Sequence, residues 1–144
     1  MRYKVLYILS VLCLWPMPSA AVTQETFLVR TTQDLVELCT APETDPLHAA
    51  AIGFCFGYVM GAHHYYVAEH SGPDMKPMFC LPEPQPTRRQ AVQTFVGWAK
   101  QNSQYLGERP VDSLMRFATA QWPCPATVQQ PTSGAARKAP DAKK

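Results

Sequence analysis

The chain has 144 residues, 13 Lys and Arg against 11 Asp and Glu for a formal net charge of +2, and 47% hydrophobic residues. That length holds one small domain, and no face clusters Lys and Arg as a nucleic-acid surface requires. Nor is there a Gly-rich phosphate loop, a serine nucleophile elbow or a pair of carboxylates at a catalytic spacing, so binding is favoured over catalysis.

Arg2 and Lys4 precede an apolar run from Val5 to Trp15, and the short residues Ser19, Ala20 and Ala21 follow. This is the three-part layout of a secretory signal, so residues 1–21 are expected to be removed and the mature chain to start near Val22. The run is well short of the roughly 20 residues that span a bilayer, so no membrane association is expected after cleavage. Cys13 leaves with the signal, and the bulky Leu12 argues against lipidation there. Without Arg2 and Lys4 the basic and acidic residues balance, with a basic tail and an acidic body. Export also sets the reading of the thiols: in an oxidising compartment Cys39, Cys55, Cys80 and Cys124 form a disulfide framework.

Val22 to Arg30 reads as a leader. Thr31 or Thr32 then caps a short helix with Leu35, Leu38 and Cys39 on one face. Asp45-Pro46 predicts the start of a second helix, from Pro46 to about His70, with Gly72 as a left-handed cap and Pro73 as the stop. Gly53, Gly57 and Gly61 lie on one stripe of this helix, which points to close approach by a neighbouring helix or a second copy of the chain. Prolines 73, 77, 82, 84 and 86 make the stretch from Ser71 to Pro86 irregular. Thr87 with Gln90 forms a capping box for a third helix with Ala91, Val92, Phe95, Val96 and Ala99 on its apolar face. Gly107 to Pro110 break it, and Pro110 starts a fourth helix through Val111, Leu114 and Phe117 to Gln121. After Ala126 the composition turns to Pro, Thr, Ser, Gly, Ala and Lys, so residues 127–144 are predicted to be a disordered basic tail.

Four cysteines allow three pairings, which sequence does not decide; helix-hairpin topology leans to Cys39 with Cys55 and Cys80 with Cys124. His63, His64 and His70 have poor metal spacing, because adjacent helical residues point about 100° apart, so no metal or cofactor is expected. His63, His64, Tyr65 and Tyr66, with Asp74, Met75 and Lys76 on the following loop, instead make a candidate partner-binding patch, since Tyr and His combine an apolar body with a polar tip.

Leu35 to Cys39, then Phe54-Cys55-Phe56-Gly57-Tyr58-Val59-Met60-Gly61, then Phe79-Cys80-Leu81-Pro82, and finally Trp122-Pro123-Cys124 resemble the Rap/Tai family of type VI secretion immunity proteins. The resemblance covers Thr32 to Cys124. It implies an all-α, four-helix HdeA-like domain stapled by two disulfides, over residues 22–126. It also implies a periplasmic immunity protein, not an enzyme, whose partner is a cell-wall amidase effector that it binds and inhibits. The alternative is a periplasmic acid-stress chaperone like HdeA. The glycine stripe allows a homodimer.

Overall fold

A computed structural model describes residues 21–72 and 75–126. The expected signal segment up to Ala20, the loop residue Asp74 and the tail 127–144 lie outside the described residues. Four helices carry the fold: α1 (Thr32–Cys39), α2 (His48–Glu69), α3 (Arg88–Gln101) and α4 (Pro110–Gln121). Short 3₁₀ turns at Glu25–Leu28 and Ser103–Tyr105 complete it, and no strand occurs among the described residues.

Each helix start has a local cause. At α1 the Thr31 hydroxyl accepts from the Asp34 N–H at 3.2 Å while the Asp34 carboxylate accepts from the Thr31 N–H at 2.9 Å, a complete capping box. Two further N–H groups of its first turn, on Thr32 and Gln33, donate to the carbonyls of Glu108 and Leu106 at 2.8 and 3.0 Å. The Thr32 hydroxyl, fully buried, donates to Ser113 Oγ at 2.8 Å, so α1 and α4 share a polar node inside the core. At α3 the predicted box is present, Thr87 accepting from the Gln90 N–H at 3.3 Å and Gln90 accepting from the Thr87 N–H at 2.9 Å. Pro110 occupies the first turn of α4, where its missing N–H costs nothing.

The core is built where all four helices meet, from Leu35 and Leu38 of α1, Ala51 and Cys55 of α2, Phe95 and Ala99 of α3, and Phe117 of α4. Phe95 and Phe117 meet edge to face with centroids 5.6 Å apart. Both disulfides take the favoured pairing: Cys39–Cys55 ties α1 to α2 with Cα atoms 5.2 Å apart, and Cys80–Cys124 ties the proline-rich loop to the residues after α4 at 4.8 Å.

Several expectations are corrected. The stretch from Val22 to Arg30 is no mere leader, because Val22, Thr26 and Val29 are buried against the core. Val29 even accepts a left-handed backbone, φ 46°, to reach it. Asp45 does not cap α2 as its immediate neighbour. The helix starts two residues later than predicted, and the Asp45 carboxylate instead accepts from the N–H of Leu47 and from that of Val22. Gly72 does not take a left-handed cap. The last carbonyls of α2 are satisfied by side chains, His70 Nδ1–H donating to the Tyr66 carbonyl at 2.9 Å and the Ser71 hydroxyl donating to that of Val67. The third helix ends at Gln101, ahead of Gly107, and Val111 of α4 is exposed.

The glycine stripe faces outward. Gly53, Gly57 and Gly61 are exposed, and a Cβ added at any of them meets nothing within 4 Å among the described residues, so no other described helix approaches them. Only Ala51, Cys55 and Tyr66 of the 22 residues in α2 are buried, although this is the most apolar of the described helices. Two predictions follow from the packing. Replacing Cys80 and Cys124 together by Ala lowers unfolding free energy by about 4 kcal/mol, and the Cys39, Cys55 pair by about 3, from loop closure alone, as chemical denaturation measures. Gly57→Ala in the dilute, monomeric chain raises stability by about 1 kcal/mol through helix propensity; a loss would reveal a close neighbour on that face.

Candidate functional site: the outer half of α2 and its loop

The second half of α2 carries His63 to Tyr66 on successive faces, so one helix sends these four side chains to different environments. Tyr66 points inward and is buried. Its ring stacks on His70 at 4.2 Å and on Phe79 at 4.4 Å, and its hydroxyl accepts from the Met78 N–H at 2.7 Å. Tyr66 is therefore the peg on which the loop hangs, and its function is structural support. Tyr65 and His64 point outward, Tyr65 with 68% of its surface exposed. Met75 and Lys76 lie exposed on the loop, joined by Met78. The expected patch thus divides into a supporting residue and a presenting set, and Asp74 lies outside the described residues.

His63 lies between these two roles. It is half-buried, with its ring 6.5 Å from Phe79 and 6.0 Å from His64. Burial, and after it the neighbouring His64, hold its imidazole below the ordinary value of 6.5. It lines an apolar cleft of about 280 Å3 between α2, α4, the loop and the start of α3. Met60, Leu81, Met115 and Trp122 supply apolar walls, and Arg88 supplies a cation at the rim. Sequence reading missed this cleft because its walls come from four separate segments. The one local signal was that Leu81 and Trp122 each stand within two residues of a cysteine, and the Cys80–Cys124 bond draws them together.

The four cysteines among the described residues are paired in disulfides, so none of these four offers a thiolate nucleophile. Among the described residues no group of three or more His, Cys, Asp or Glu converges as a metal set. No described helix is long and apolar enough to cross a membrane.

With this geometry in view, comparison with known families is decisive. The family model of the Rap1a immunity proteins matches residues 31–124, from the α1 cap to the last cysteine. The chain belongs to the Rap1a immunity proteins. Comparison with curated proteins and with solved structures gave no match. Family membership makes this an immunity protein, a role that implies binding a protein toxin. The matched span contains both disulfides, the glycine stripe and the loop.

His63 gives this site a pH dependence. A histidine whose folded pKa lies below its unfolded one binds the proton more readily when unfolded. Its stabilising contribution is whole above the unfolded value and is lost as pH falls below it, until the folded pKa is passed. Denaturation midpoints between about pH 8 and about pH 5 should therefore fall on acidification, and His63→Gln should flatten that fall.

Proposed function

We propose that this immunity protein works in the periplasm, after removal of residues 1–21, as the inhibitor of a peptidoglycan amidase delivered by a type VI secretion system. The folded unit is residues 22–126. One observation carries the binding surface. The most apolar of the described helices leaves a long face uncovered, and that face runs without interruption by charge from Gly53 through Gly57 and Gly61 to Tyr65. A helix apolar all round normally sits inside a core, so an uncovered one calls for a partner. Beside it, Met75 and Met78 offer flexible apolar side chains of the kind that adapt to a protein surface. The loop that bears them is stapled by Cys80–Cys124 and pinned by Tyr66, which reduces the ordering cost of association. Two disulfides in a small domain also support an oxidising compartment.

A homodimer is the competing occupant of the flat glycine face, and light scattering of the free chain over a range of concentrations separates the two. The HdeA-like reading draws on His63, whose protonation in acid opposes its half-buried position. Acid-induced exposure of apolar surface that protects a client from aggregation would favour it; a domain that stays closed near pH 2 to pH 3 would exclude it.

The direct test expresses a peptidoglycan amidase effector, sought first among the neighbouring reading frames, in the periplasm with and without this protein. Protection from lysis is expected, and undiminished lysis overturns the inhibitor role for that pair. Within the complex, Tyr65→Ala is expected to weaken binding roughly 30-fold, the scale of an interfacial hot spot, while Val111→Ala on α4 changes it little. Calorimetric titration of each variant provides the measurement.

A further inference from the structure

We propose that signal cleavage falls at the bond between Ala21 and Val22, and that the α-ammonium it frees forms a nearly buried ion pair with Asp45 that locks the amino-terminal segment onto the core. This rests on the export reading above, which removes residues 1–21, and goes beyond it by assigning the residue that receives the new terminus.

The Val22 nitrogen lies 2.8 Å from Asp45 Oδ2, a contact spanning 23 residues. Val22 is 7% exposed and Asp45 9%, whereas Ala21 immediately before them is exposed. The other carboxylate oxygen of Asp45, Oδ1, accepts from the Leu47 N–H at 2.8 Å. Both oxygens are thus occupied by backbone donors, and none of the ion pairs among the described residues includes Asp45. A nearly buried carboxylate gains from a countercharge, and among the described residues the side-chain contacts of Asp45 are with neutral N–H groups.

Hydrolysis at this bond supplies the missing charge at the right atom. Water adds its hydroxyl to the Ala21 carbonyl carbon and a hydrogen to the Val22 nitrogen as the C–N bond breaks, with no change of oxidation state. The amine then takes a proton from solvent, since a free α-amino group titrates near about 7.7. One N–H of the ammonium keeps the existing bond to Asp45. The other two face the side from which Ala21 has departed, and there water can reach them. Ser19 and Ala21 are the small residues that a signal endopeptidase requires three residues before and immediately before its cut.

The register is tight. A chain starting at Ala21 would place its charge in solvent and leave Asp45 with an amide. A chain starting at Thr23 would lose the donor entirely, along with the buried Val22 side chain. Val22 is followed by the 3₁₀ turn and by the buried Thr26 and Val29, while Asp45 sits on the turn entering α2, so the pair joins the first described segment to the α1–α2 hairpin.

The test has two arms. Intact mass and amino-terminal sequencing of the exported full-length chain should give Val22 as the first residue. A cut elsewhere overturns this proposal alone, and an uncut chain overturns the export reading together with it. In the second arm, chains starting at Ala21, Val22 and Thr23 are released from a fusion by a protease that leaves a native end, each with and without Asp45→Asn. The Val22 chain should be the most stable. Asp45→Asn should lower its folded-to-unfolded ratio on the order of tenfold more than it lowers that of the Ala21 chain. Equal effects of Asp45→Asn in the two chains overturn the ion pair. Should Asp45→Asn fail to fold, the ranking of the three parent chains decides the matter, and a Val22 chain no more stable than the Ala21 chain overturns it.

Discussion

The stretch between α2 and α3 has too many prolines to make its own regular hydrogen bonds, so its position must be imposed from outside. The Cys80–Cys124 bond does this, reinforced by the Cys80 N–H donating to the Trp122 carbonyl at 2.8 Å. Phe79 is thereby set under Tyr66, and Leu81 and Trp122 become walls of one cleft. Without that anchor the exposed Met75 and Met78 would be carried by a chain of no fixed course. The course of the exposed loop is thus a consequence of a covalent constraint at its far end.

Cys39–Cys55 does a different task. It binds the short α1, only two turns long and too short to persist in isolation, to the long α2. The capping box at Thr31 and the carbonyls of Leu106 and Glu108 complete the hold on α1 from its other end. An eight-residue helix is thus fixed at both termini by interactions that need no apolar area, which frees Leu35 and Leu38 to fill the middle of the core.

What the sequence made legible was whatever depends on neighbours in the chain. The Thr87–Gln90 box, Pro110 at the first turn of α4 and the irregular proline stretch are local signals, and each lies where it was expected. The misses were tertiary. Val22 and Val29 lie in a segment too short to show a period, so nothing marked them as core. Glycines at intervals of four mark one helix face but do not say what lies opposite, and among the described residues nothing does. Gly72 was a reasonable cap, yet His70 and Ser71 reach the same carbonyls first. Of the candidate patch, the exposure of Tyr65 and the burial of Tyr66 follow from a rotation that sequence leaves undetermined until the core is placed.

The node between Thr32 and Ser113 has an evolutionary consequence. Both residues are fully buried, and the Ser113 hydroxyl donates onward to the Tyr105 carbonyl. An apolar residue at either position removes the bond between them, yet the remaining hydroxyl keeps a carbonyl to donate to, Glu108 for Thr32 and Tyr105 for Ser113. Two positions 81 apart in sequence can therefore be exchanged one at a time without orphaning a buried hydroxyl.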